Sequence, residues 1–132
     1  MIELVKSFTF GEEIGEKVAV KFSAEGTVVK ATSDTDKVCG VTLFAGKQGA
    51  VGDVLMMGIG TVATSGSLSA GDFLVATTGG KLKALDLENT EGAVTVVGRV
   101  LETASTAAHL SAIINPQIMF VPAEEEQSDE NI

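Results

Sequence analysis

Few side chains of this 132-residue chain have the chemistry of a catalytic site. Cys39 is the only cysteine and His109 the only histidine, so thiol catalysis would need the two to meet in space with an orienting carboxylate. Cys39 falls in an apolar run that predicts a buried strand, where a thiol is normally structural. Zinc sites need a cluster of cysteines and histidines. We therefore predict no thiol active site and no metal site.

Paired carboxylates occur at Glu12-Glu13 and at Asp34 with Asp36, all in turn-like segments. A glycosidase uses two carboxylates, but the chain has no Trp or Tyr on which a sugar could stack. Asp34-Thr35-Asp36 resembles the start of a calcium loop without the glycine and the distal glutamate that such a loop needs. We therefore expect these carboxylates to lie in turns and to be solvated.

Two glycine-rich sites resemble a phosphate-binding loop only in composition. Neither Gly58-Ile59-Gly60 nor Gly79-Gly80 is followed by the Lys-Ser/Thr pair and helix start of such a loop, so both predict turns. The chain is therefore predicted not to be an enzyme, and to need no cofactor and no small-molecule substrate.

The formal charge of −9 is concentrated at one end of the chain. Five of the acidic residues lie in the last nine positions, and residues 122–132 are predicted to form a disordered, solvated tail that serves either solubility or an electrostatic contact. The nine basic residues are scattered, so nucleic acid is not a predicted partner.

The N-terminal stretch lacks the basic and apolar regions of a secretory signal. No segment approaches the about 20 apolar residues of a membrane span. A single cysteine suits a reducing compartment. We expect no membrane association and synthesis in a cytoplasm.

A glycine followed by an acidic residue opens an apolar run three times, at Gly15-Glu16, Gly52-Asp53 and Gly71-Asp72. Glycine permits backbone geometry that other residues avoid, and the carboxylate favours a turn, so each site predicts a turn that enters a strand. Residues 15–44 and 71–101 each predict a hairpin followed by a third strand, as two copies of one unit. Between them, 52–63 predicts two short strands around a glycine-containing turn.

These elements predict an all-β fold, a small β-barrel or β-sandwich of short antiparallel strands with an internal repeat and flexible termini. Its body is expected at 15–116. Within it, a last strand at 109–114, ended by Asn115-Pro116, is favoured over a small helix at 103–114. Residues 1–14 predict an N-terminal arm or edge strand, and 117–132 a C-terminal apolar segment with the acidic tail.

The order of motifs from Gly15 to Pro116 resembles the head decoration proteins, or capsid cement proteins, of tailed bacteriophages. The resemblance covers about three-quarters of the chain and rests on a recurring pattern of Gly, Ala, Thr and Val. The motifs that carry it are Val38-Cys39-Gly40-Val41, Gly52-Asp53-Val54-Leu55, Gly60-Thr61-Val62, Ser69-Ala70-Gly71-Asp72-Phe73-Leu74 and Val97-Gly98-Arg99-Val100-Leu101.

The resemblance implies a structural virion protein that binds the outside of an expanded head, commonly as a homotrimer, and stabilises it against internal DNA pressure. The major capsid protein is then the expected partner, and the capsid exterior the expected location. The apolar segments at both ends predict either edge strands that complete the core or arms that dock on a neighbouring subunit or partner. We predict capsid contacts at Ile2, Leu4, Phe8 and Phe10, and subunit contacts at Met56 and Met57 of the central segment and at Ile118 and Phe120.

Two other function classes stay open. A receptor- or glycan-binding module of a phage tail or fibre shares small β folds and trimers, although the missing Trp and Tyr count against it. A small hydrolase that uses Cys39 or a carboxylate pair is the third class.

Overall fold

The computed structural model describes residues 3–122, so Ile2 and the predicted acidic tail from residue 123 onward lie outside the described residues. The prediction of an all-β fold is confirmed. The elements in chain order are β1 (Leu4–Phe10), β2 (Ala19–Ala24), β3 (Thr27–Lys30), β4 (Val38–Thr42), β5 (Val51–Ala63), β6 (Phe73–Ala76), a 3-10 turn (Thr78–Gly80), β7 (Leu82–Ala84), β8 (Gly92–Val100) and β9 (His109–Val121).

The first five strands close into a small barrel in the order β1-β3-β2-β4-β5, with β5 pairing back onto β1. Only the β1–β3 pair within it is parallel. A barrel leaves no open sheet edge, and its inward side chains make a packed interior. Here that interior is filled by buried apolar residues, among them Phe8, Phe10, Ile14, Val20, Val28 and Val54.

A second antiparallel sheet is built from the end of β5, followed by β9, β8, β6 and β7. A single apolar core joins it to the barrel: Val41 and Leu55 of the barrel belong to the same buried cluster as Leu74, Val97 and Ile114 of the sheet. The barrel and the sheet therefore pack as one body around this shared apolar cluster.

The two predicted units have the same connectivity. In each unit the first strand pairs with both the second and the third strand. In the first unit β2 pairs with β3 and β4, and in the second unit β6 pairs with β7 and β8. The register agrees as well, because Gly40 lies opposite Val20 and Gly98 lies opposite Leu74. The sequence match between 39–43 and 97–101 therefore reflects equivalent positions in two similar sheets.

The prediction of two short strands within 52–63 is wrong, because β5 runs through the segment without a turn. Its first half pairs with β1 and β4, and its second half, from Gly58 onward, pairs with β9. Gly58 has a φ of 134°, which L side chains rarely adopt. The glycine therefore redirects the strand from the barrel into the second sheet instead of reversing it.

Only one of the three Gly-acid sites owes its glycine to unusual backbone geometry. Gly71 has a φ of 97°, whereas at the Gly15 turn the left-handed residue is Lys17, with a φ of 63°. Gly52 lies inside β5, where a Cβ would collide with the ring of Phe10. The shared motif therefore reflects two turns and one packing contact.

The strand predicted at 109–114 is confirmed, but its predicted end at Asn115-Pro116 is wrong because β9 continues to Val121. Val96 pairs with Gln117 and Gly98 with Ile114, so β9 carries one extra residue in a bulge at 115–116. Proline is accommodated at a bulge because the ladder is interrupted there. Ile114, before the bulge, belongs to the main core, whereas Val121, after it, belongs to a separate small cluster with Val94 and Val96.

No helix within residues 3–122 is long and apolar enough to cross a membrane.

Candidate interaction surfaces

The cysteine and the histidine considered for catalysis belong to separate strands. Cys39 of β4 is half-buried, and its thiol donates a hydrogen bond to the carbonyl oxygen of Val20 at 3.6 Å. Burial raises the pKa of the Cys39 thiol to about 11, which disfavours the reactive thiolate at neutral pH. His109 begins β9 and lies opposite Ala63 of β5. The thiol therefore bonds to the backbone and is not activated.

The carboxylates considered for catalysis also bond to the backbone. Asp36 accepts hydrogen bonds from the backbone N–H of Thr32 at 2.8 Å and of Ser33 at 3.2 Å, and forms an ion pair with Lys21 at 3.2 Å. The Thr32 N–H, with the help of Lys21, lowers the pKa of Asp36. Glu12 accepts a hydrogen bond from the backbone N–H of Lys30 at 2.8 Å. Asp36 therefore stabilises a turn, and Glu12 bonds to the end of β3.

Within residues 3–122, no three His, Cys, Asp or Glu side chains are grouped closely enough to hold a metal ion.

The residues predicted to contact a capsid do not share one exposed face. Phe8 and Phe10 are only 6% and 1% exposed, because they point into the barrel. Neither ring is therefore available at the surface of the described chain, which does not favour the predicted contact at these two residues. Leu4, at the start of β1, is 48% exposed, and the pairing of β1 with β5 shifts register between Leu4 and Val5. Ile2 lies outside the described residues.

The residues predicted to contact a second subunit are similarly divided. Met56 packs against the barrel core, whereas Met57 is exposed and lies directly opposite Leu4 across the β1–β5 pair. Leu4 and Met57, which the sequence assigned to different partners, therefore form one patch.

This patch continues across two further strands. Ile59 follows Met57 on the outer side of β5, and Ile113 of β9 lies directly opposite Ile59. The four side chains are each a little under half exposed. We call Leu4, Met57, Ile59 and Ile113 the apolar stripe. The sequence did not reveal Ile59 or Ile113, since their neighbours across the strands depend on register.

Beyond the bulge, the last part of β9 pairs only with the first part of β8, and we call residues 92–97 and 117–121 the ribbon. Among the described residues, no strand pairs with β9 on its other side after Ile114. The ribbon buries Val94, Val96 and Val121 on one face. On the other face it presents Ile118 and Phe120, which are 68% and 71% exposed.

A groove of about 330 Å³ lies beside the ribbon on the outer face of the second sheet. Its one charged side chain is Arg99 of β8, whose guanidinium carbon lies 5.0 Å from the ring centre of Phe73. Arg99 lies opposite Ile113, so the groove adjoins the apolar stripe. We call it the Arg99 groove.

No protein-family model matches the sequence, and no curated protein matches it. The structure is similar to a solved structure described as the head fiber gp8.5 N base of bacteriophage phi29, with a TM-score of 0.65 and 16% sequence identity. The similarity covers 86% of this chain and 95% of that chain. At this level of identity, the two chains share a fold.

Proposed function

We propose that this chain is a structural bacteriophage virion protein that binds the outer surface of the capsid and stabilises the expanded head. One observation carries the proposal: the fold, over 86% of the chain, is similar to a solved domain described as the base of a phage head fiber. The motifs that resemble decoration proteins support the same class. The proposed location is the capsid exterior, after synthesis in the host cytoplasm.

A binding role without turnover fits the state of the polar groups. The thiol of Cys39 and the carboxylates of Asp36 and Glu12 are engaged with backbone atoms. What the surface offers instead is apolar: the stripe and the ribbon are both exposed and both lie on paired strands. Contiguous exposed apolar side chains are typical of surfaces that bind other proteins.

We assign the capsid contact to the apolar stripe. Leu4 is the described residue that keeps this predicted role, Ile2 stays a prediction, and Met57 joins Leu4 as its neighbour across the strands. The stripe is carried by three hydrogen-bonded strands, so little side-chain or backbone freedom is lost when it binds.

We assign the subunit contact to the ribbon. Ile118 and Phe120 are exposed on one face, and the edge of β9 beyond Ile114 is open to pairing with another strand. A homotrimer held in this way offers three copies of one modest capsid contact. Simultaneous engagement of the copies raises the overall affinity without new chemistry.

Co-sedimentation of the purified protein with phage heads tests the proposal. The protein should form a stable trimer and bind expanded heads of the phage that encodes it, but not unexpanded heads. Leu4→Ser with Met57→Ser should weaken binding while leaving the trimer intact, and Lys47→Gln, an exposed change in the barrel loop, is the matched control. A monomer that does not bind mature heads would refute the proposal.

The second candidate is a module of a phage fibre, because the matched structure is described as a fiber base. In that role the chain would hold or present a receptor- or glycan-binding element instead of covering the head. Electron microscopy of decorated heads separates the two, since a decoration protein gives a regular lattice of caps. A glycan array and a cell-adsorption assay with no signal would remove the fibre candidate.

A further inference from the structure

Arg99 is a fixed cation that has no anionic partner among residues 3–122. Its Nε donates a hydrogen bond to the carbonyl oxygen of Gly71 at 3.2 Å, and its guanidinium lies over the ring of Phe73. The one ion pair in this part of the chain joins Lys21 to Asp36. The Nη groups of Arg99 therefore remain available, and holding the side chain in place reduces the entropy lost when an anion binds.

The rest of the groove surrounds this cation with apolar surface. Val96, Ile113 and Met119 line the groove together with the Phe73 ring. A carboxylate bound beside such surface is partly shielded from water, which strengthens its hydrogen bonds to a guanidinium. The lining also offers a place for an aliphatic side chain next to the anion.

Two carboxamides complete the lining. Asn115 and Gln117 come from positions two apart on β9, and both face the groove. A carboxamide donates and accepts hydrogen bonds, as does each peptide unit of an extended chain. Two of them along one strand are suited to the backbone of an extended segment that lies over the outer face of β9.

We propose that the Arg99 groove binds an extended segment of a partner protein that carries a carboxylate side chain next to an aliphatic one. The carboxylate binds the Nη groups of Arg99, the aliphatic side chain packs on Ile113 and Met119, and the backbone bonds to Asn115 and Gln117. The chain carries a net charge of −9, which disfavours polyanions in general. A single carboxylate held by one fixed arginine is the anion that this surface can accept. The proposal does not depend on the partner being a capsid.

Fluorescence anisotropy with the full chain tests this. The probes are a fluorescein-labelled peptide Gly-Ser-Val-Glu-Val-Ile-Ser-Gly and its twin with Gln in place of Glu. The Glu peptide should bind about tenfold more tightly than the Gln peptide, which corresponds to about 1.4 kcal/mol. Arg99→Gln should abolish that difference, Arg99→Lys should retain part of it, and Lys47→Gln should leave it unchanged.

Equal binding of the two peptides, or no binding of the Glu peptide to the wild-type protein, overturns the proposal. A second arm uses the full chain with the five acidic residues at 124–130 changed to amides. Should the Glu peptide bind only this neutralised variant, the occupant is the chain's own acidic end, and the assignment to a partner is wrong.

Discussion

Gly98 of β8 lies against the carbonyl oxygen of Ile113 on β9, so closely that a Cβ at position 98 would overlap that oxygen. The equivalent position in the first unit has the same contact, since a Cβ at Gly40 would overlap the carbonyl oxygen of Leu55. In both units the third strand therefore approaches its next neighbour where only glycine fits. This contact explains why the glycine recurs at the same place in 39–43 and 97–101.

Gly98→Ala should therefore lower the free energy of unfolding by about 3 kcal/mol, since the clash is with backbone that cannot move aside cheaply. Urea denaturation followed by circular dichroism measures this. Gly15→Ala is the matched control, because nothing lies within 4 Å of a Cβ there and the backbone is not left-handed, and it should change stability by less than about 0.5 kcal/mol. Equal effects of the two changes would contradict the account.

The sequence was sufficient to predict the all-β class and the repeat because both rest on local patterns. Alternation of apolar and polar residues marks a strand wherever it lies in the fold, and recurring turn glycines mark its ends. A barrel was one of the two predicted architectures. Its closure through β1 depends on register between distant strands, and alternation carries no information about that.

The errors have the same origin. A glycine inside an apolar run gives the same sequence pattern whether the chain reverses or only bends there. We therefore predicted a turn at Gly58, where β5 in fact continues. Pro116 predicted a strand end because the sequence does not show the bulge that accommodates it. Alternation placed Phe8 and Phe10 on one face correctly, but only barrel closure decides that this face is the interior.

Cys39 should remain unreactive while the protein is folded. Its pKa of about 11 keeps the thiol protonated at pH 8, so labelling with iodoacetamide should be slow in buffer and fast in 8 M urea.

The pKa of the Cys39 thiol is raised above its ordinary value of 9.0, so the contribution of the buried neutral thiol to stability is fully present below pH 9 and is lost as the pH rises towards 11. Lysines titrate in the same range, so the measurement is the difference in unfolding free energy between wild type and Cys39→Ala. A difference that does not change with pH would contradict the burial of the thiol.

Asp36 should contribute to stability through its turn. Asp36→Asn replaces an acceptor of two backbone hydrogen bonds and removes the ion pair with Lys21, and should cost about 1–2 kcal/mol at pH 7. The pKa of Asp36 is lowered from its ordinary 3.8, so this contribution is present above that pH and disappears as the pH falls through the lower folded value. Thermal unfolding at a series of pH values measures it. Asp34→Asn is the control, because that side chain makes no hydrogen bond with the described residues, and a loss as large as that of Asp36→Asn would refute the assignment.

The ribbon should determine the oligomeric state. Ile118→Thr with Phe120→Thr removes two exposed apolar side chains while keeping residues suited to a strand, so the folded monomer should lose less than about 1 kcal/mol. Light scattering should show the wild type at three times the chain mass and the double variant at the mass of one chain. Leu87→Thr, which removes another exposed apolar side chain from the loop before β8, should leave the trimer intact. If instead the double variant stays trimeric, the subunit contact lies elsewhere. The apolar stripe then becomes the alternative subunit surface, because it is another set of exposed apolar side chains held on paired strands.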